Sequence, residues 1–156
     1  MAEPWATVSI GPALSLLERM GRRAANLRPV LDGPIANAIH GFFEKRFATE
    51  GAYGGEKWAP LAAKTLYWRA QHNRSGMPLL QFMRDLWSSL VKRSSPLGYR
   101  VATDASLLLG SSVQHADEHQ TGTARMPARK IVPDEIPDAD RQSWAEMIVT
   151  HLEATA

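Results

Sequence analysis

The chain has 156 residues, 44% of them apolar and 22% charged, the balance of one folded domain rather than of a disordered chain. It has no cysteine, which excludes disulfides, thiolate metal sites and a cysteine nucleophile. Net charge is only +2 but it is segregated: Lys64, Arg69, Arg74, Arg84, Lys92, Arg93 and Arg100 stand against Asp85 alone, whereas six acids accompany the single base Arg141 between Asp134 and Glu153.

No apolar run exceeds three residues, as at Leu107-Leu108-Leu109, far short of the ~20 that a membrane helix needs. The N-terminal stretch "MAEPWATVSIGP" carries Glu3 and Pro4 where a signal peptide would be basic and then apolar, so the expectation is a chain that is cytoplasmic where it is made, without a membrane partner. The ends, 1–12 and 154–156, are expected to be flexible.

In chain order, Leu16, Leu17, Met20, Ala24 and Leu27 recur at helical spacing, which predicts a helix from Ala13 that Pro29 ends. A second helix is expected with Asp32 as its cap and Pro34 in its first turn, burying Ile35, Ile39, Phe42, Phe43 and Phe47. "GAYGG" breaks it. A shorter helix follows from Pro60 to Gln71, and the polar loop "HNRSG" follows that helix. Leu79, Phe82, Met83, Leu86 and Leu90 give an i, i+3, i+4, i+7 pattern, which predicts a helix over 79–92.

The period then changes. "YRVAT" and "SLLLGSS", separated by Asp104-Ala105, read as an antiparallel hairpin, and Lys130–Val132 as a further short strand. The last helix is expected at 138–153 with Trp144, Met147, Ile148 and Leu152 on its buried side. Phe42, Phe43, Leu86 and Leu90 are expected to pack against Val101, Leu107 and Leu109. Helices before and after a small antiparallel sheet, with no repeat and no boundary, predict a single α+β domain over 1–156.

His115-Ala-Asp-Glu118-His119 matches H-x-x-E-H, the inverzincin pattern of certain zinc peptidases. Such a site needs both histidines on a rigid helix, a third ligand and an acid that activates the metal-bound water. Here Gly122 and Pro127 leave barely two helical turns, and no third ligand stands at a diagnostic spacing. The zinc peptidase on His115, Glu118 and His119 is therefore a remote alternative, and no cofactor or metal is expected. There is no G-x-S-x-G elbow and no Walker loop, and "GAYGGEKW" follows a helix rather than a strand. His40 and His151 read as satisfied, partly buried histidines, and Trp87 and Trp144 as core. Trp58 and Trp68 could stack on bases, and with the basic 64–100 region they make a nucleic-acid-binding protein the alternative.

The order of features over roughly 34–153 is more telling. "GGEKWAPLAAKT" resembles the "G..W.pL...T" segment of the phage virion morphogenesis family, among whose members are tail-completion protein S and the protein G of Mu-like phages. "PLLQFMRDLWSSL" matches that family's next helix, "HADEHQTG" with His119, Gln120 and Gly122 its "ya.iHQ.G" turn, and Met126-Pro127-Ala128-Arg129 its "iPaRp" segment. The chain departs from the pattern at Phe82-Met83-Arg84, where the family often has glycine, and at His115, where it has an aromatic.

The resemblance implies a non-enzymatic subunit of the phage neck or tail completion, needed for head-to-tail joining and assembled in the host cytoplasm into the virion. It implies a ring of like subunits (a hexamer first, a dodecamer second), with connector and tail-tube proteins as neighbours and DNA passing through. The candidate interface residues are Trp58, Trp68, Arg84, Lys92, Arg93, His119, Gln120, Gly122, Arg125 and Arg129. Segregated charge suits a head-to-tail contact between unlike patches.

Overall fold

The computed structural model describes residues 11–81 and 84–154. Phe82 and Met83 of the expected helical stripe, and residues 1–10, 155 and 156 of the ends expected to be flexible, lie outside the described residues. Among the described residues seven α-helical segments accompany one hairpin, which is the α+β class. They are α1 (Gly11–Ala24), α2 (Arg28–Val30), α3 (Ala36–Ala48), α4 (Ala63–Gln71), α5 (Asp85–Val91), strands β1 (Gly98–Ala102) and β2 (Leu107–Ser111), α6 (Ala116–Thr121) and α7 (Asp138–Glu153).

Pro29 sits in the first turn of α2, where a missing N–H is tolerated, so it begins a helix rather than only ending one. From there the backbone stays helical to Ala48 through a π-helical turn, Leu31–Ile35, which holds Pro34. Proline cannot donate the regular helical bond, and the wider turn accommodates it: the Ala36 N–H reaches back to Leu31 O. Asp32 therefore caps nothing. Its carboxylate faces Arg100 at 3.1 Å and Arg93 at 3.8 Å.

The stripe of α3 is buried as expected at Phe42, Phe43 and Phe47, with Ile39 packed against them. Trp58, Leu79, Leu86, Leu90 and Ile131 complete the main core, and Phe47 and Trp58 meet edge to face at 5.3 Å. Val30, Leu31 and Ile35 form a second cluster with Leu107, Trp144, Met147 and Ile148, which joins α7 to the start of the long helix. Burying each of these side chains stabilises the fold by roughly 1.5–3 kcal/mol.

Four expectations need correction. The helix expected over 79–92 is only Asp85–Val91, because Leu80 (φ 57°) and Arg84 (φ 61°) adopt left-handed backbone that no helix carries. Leu79 still reaches the core, from a loop. On α1, Leu16 and Leu17 are exposed, since that helix touches little besides α7. In the hairpin Val101 points outward and Leu107 packs on the second cluster instead. Finally, Lys130–Val132 is not a strand: the N–H groups of Ile131 and Val132 donate to the Gln120 side chain, at 2.8 and 2.9 Å, in place of a ladder partner.

The loops that close the core hang on one side chain. Arg46, 1% exposed, points from α3 into the space between the loops 49–58 and 128–133. Its Nε donates to Ile131 O (2.7 Å), its Nη1 to Gly51 O (2.9 Å) and Tyr53 O (2.5 Å), and its Nη2 to Lys130 O (2.6 Å). Burial pulls the guanidinium pKa down from its usual value, and the group stays charged. Arg46→Lys keeps the charge but loses the planar fork of donors. It is expected to destabilise the chain by on the order of 1–3 kcal/mol for each buried carbonyl left without a donor, with the loss read from urea unfolding.

A cleft at the His119 turn

The stretch from His115 to Arg129 folds as one helical turn and a return. α6 begins at Ala116 and ends at Gly122, whose φ of +77° lies where side chains are strained. A Cβ there would stand 2.7 Å from Ala128 N, so the returning chain approaches too closely for any residue but glycine. The Arg129 N–H donates to His119 O at 2.7 Å, and Thr123 pairs with Met126. The Gln120 amide group closes the turn, accepting from Ile131 and Val132 and donating through Nε2 to Val132 O at 2.8 Å. Arg129 then turns inward: its Nε donates to Ala59 O (2.8 Å) and its Nη2 to Pro60 O (2.9 Å). His119-Gln-x-Gly and Pro-Ala-Arg are thus two halves of one hydrogen-bonded knot, and the Ala59–Leu61 stretch is what they clasp.

Between this knot, α4 and the segment before α5 lies a cleft of about 490 Å³. Leu61, Leu80, Leu86 and Met126 give it apolar walls, and Trp68, Arg84, His115 and Arg125 stand around it. His119 lines it as well, with its Nδ1 buried and lacking a hydrogen-bond partner among the described residues. Burial first, then the nearby charges of His115 and Arg129, hold the His119 pKa below the ordinary histidine value, against an upward pull from Glu118.

Of the candidate residues, the cleft gathers Trp68, Arg84, His119, Arg125 and Arg129. Gln120 and Gly122 build the turn behind it. Trp58 is elsewhere: it is 4% exposed, with its Nε1 donating to Lys130 O at 2.9 Å, so it packs the core. Lys92 lies over the Trp87 ring at 5.2 Å, and Arg93 donates to Asn37 Oδ1 at 3.1 Å and approaches Asp32.

The apolar walls were missed in the sequence reading, although Leu61 and Thr65 of the "W.pL...T" segment belong to them.

The two histidine rings of the H-x-x-E-H pattern meet edge to face at 5.4 Å. Among the described residues no group of three or more His, Cys, Asp or Glu side chains gathers as a metal site would require. The basic 64–100 stretch offers nucleic acid less than its charge count suggests. Arg69 is buried and donates to Met77 O at 3.0 Å, and Arg93 and Arg100 share Asp32.

Two outcomes follow from this geometry. Gly122→Ala is expected to destabilise the fold by on the order of 1–3 kcal/mol through strain and the Ala128 contact, measurable as a lowered melting temperature. His119 has a depressed folded pKa, so the unfolded chain binds more protons, and stability falls as pH drops below about 6.5, the unfolded histidine value. Urea midpoints at pH values on either side should show that fall, and His119→Gln should flatten its share of it.

A sequence model of the phage virion morphogenesis family matches residues 8–153, a span that takes in every element from α1 to α7. No curated protein and no solved structure matches the chain. With nearly the whole chain covered, and the knot's residues at the family's motif positions, the chain belongs to the phage virion morphogenesis family.

Proposed function

We propose that this protein is a ring-forming subunit of the phage neck or tail completion, needed for stable joining of heads to tails. Family membership makes it a structural or assembly protein of a phage virion, and the match over residues 8–153 carries the reading. In this reading it acts by shape and contact rather than by catalysis. The ring is of like subunits, six by preference and twelve as the second choice. Connector and tail-tube proteins flank it, and DNA passes through its centre.

Two features support a contact role. Large apolar side chains stand exposed on separate elements: Leu14 and Leu17 on α1, Leu66 and Tyr67 on α4, and Tyr99, Val101 and Leu108 on the hairpin. These side chains are available to a neighbour, and a contact that gathered them would bury apolar surface. The charge is also unevenly spread, with Glu135, Asp138, Glu146 and Glu153 on or just before α7 and Arg84 and Arg125 beside the cleft. Unlike patches on one subunit suit a head-to-tail contact, which closes into a ring when the rotation allows. No helix among the described residues is long and apolar enough to cross a membrane.

A phage lacking this gene is expected to make DNA-filled heads and separate tails that fail to combine, visible by electron microscopy. Native mass spectrometry of the purified protein should give a ring of six or twelve chains. Infectious virions from the deletion strain, or a block already at capsid formation, would overturn the joining role.

A further inference from the structure

We infer that the cleft between α4 and α6 receives the acidic segment Val132-Pro133-Asp134-Glu135 of a second copy of this chain. The inference rests on the ring reading and gives it a specific contact. The cleft asks for an apolar group with a carboxylate beside it. Its walls are Leu61, Leu80, Leu86 and Met126, and of its charged lining Arg69, Arg84, Arg125 and Arg129 stand against Asp85 alone. His119 Nδ1 is buried there and has no hydrogen-bond partner among the described residues, a group that calls for a further partner. The volume of about 490 Å³ is that of sites which take one or two large side chains.

The segment offers what the cleft lacks. Val132 is 50% exposed, and the acids Asp134 and Glu135 follow, both exposed. Asp134 shares its charge with Lys130 at 2.5 Å, while Glu135 has no ion pair among the described residues. Complementary charge of this kind sets partner and register more than affinity, which the apolar fit must supply.

A subunit cannot fill its own cleft. Pro127 and Arg129 line the cleft, whereas Ala128 and Lys130 line a depression shared with Pro133, Asp134 and Glu135. Alternate residues of extended chain face opposite ways, so the acidic segment is presented on the far side of the stretch that walls the cleft. Donor and acceptor surfaces on opposite sides make a contact between unlike patches, the kind that propagates around a ring.

The test uses two full-length variants, one with the cleft reversed (R84E/R125E) and one with the segment reversed (D134K/E135K). Their masses are followed by sedimentation beside the wild type. Wild type should assemble, each variant alone should stay monomeric, and an equimolar mixture should assemble again. The native cleft of one variant then meets the native segment of the other, and the reversed, acidic cleft meets the reversed, basic segment, so the two variants alternate around the ring. If wild type assembles and both variants do so equally well, the cleft contact is overturned and the ring reading stands. If wild type stays monomeric at all concentrations, the ring reading fails and the second copy as occupant fails with it. If each variant is defective but the mixture does not assemble, the pairing of these two surfaces is wrong. The neutral pair R84Q/R125Q and D134N/E135Q, checked for native melting, repeats the experiment should a reversed variant not fold; it should weaken assembly by roughly tenfold or more, and unchanged assembly overturns the contact.

Discussion

A guanidinium buried among carbonyls, with no carboxylate among its hydrogen-bond partners, is the interaction on which the rest of this molecule depends. Arg46 leaves α3 among the phenylalanines and meets Gly51, Tyr53, Lys130 and Ile131 through their backbone oxygens. Loops that enter a core bring carbonyls with them, and a buried carbonyl without a donor destabilises the fold by about 1–3 kcal/mol. Neither loop has a strand beside it to supply those donors. One arginine supplies four, each charge-assisted and so stronger than a neutral bond. With the loops fixed in this way, Trp58 and Ile131 come to lie against Phe47 and the other side chains of the core.

The same device recurs outward from that point. Trp58 donates to the Lys130 carbonyl that Arg46 also holds, Gln120 takes the N–H groups of the next two residues, and Arg129 binds the carbonyls of Ala59 and Pro60. Side chains do here what a third strand would otherwise do. The arrangement also explains why the family's short motifs lie far apart in sequence yet travel together. Trp58, Pro60 and Leu61 belong to one side of the clasp, and Gln120, Gly122 and Arg129 to the other. The cleft is the space that the clasp leaves beside α4, so its shape follows from hydrogen bonds made on its far side.

Periodicity revealed the parts of the fold that bury one continuous face. The aromatic stripe of α3, the hairpin with its turn at Asp104-Ala105 and the bounds of α7 at Asp138–Glu153 were all legible in the sequence. It misled where the chain reaches the core by another route. Leu79 is buried from a loop, and the left-handed residues Leu80 and Arg84 have no signal in apolar spacing. Arg46 was overlooked because a charged residue on a helix reads as solvated. Yet it stands three residues after Phe43 and four after Phe42, on the side of the helix that carries the stripe, which was the available clue. For the site, the H-x-x-E-H spacing suggested chemistry, whereas the same residues serve a turn: the His119 carbonyl and the Gln120 amide are the parts in use, and backbone roles leave no mark on a catalytic pattern.

A core tied together in this way has a consequence for the surface. The two buried clusters draw on α3, α5, α7 and the loops, and they leave α1, α4 and the outer side of the hairpin with apolar residues that no other described residue covers. A lone soluble protein gains nothing from exposing Leu17, Tyr67 and Tyr99, and it carries a risk of aggregation in doing so. A subunit that spends its life against neighbours has a use for them. A two-stranded hairpin is itself marginal without packing on a further layer. Here α5 supports one side of it, and Tyr99, Val101 and Leu108 remain exposed. Loops tied down by hydrogen bonds at the centre, and apolar elements at the margin that no described residue covers, are what the proposed ring subunit would require.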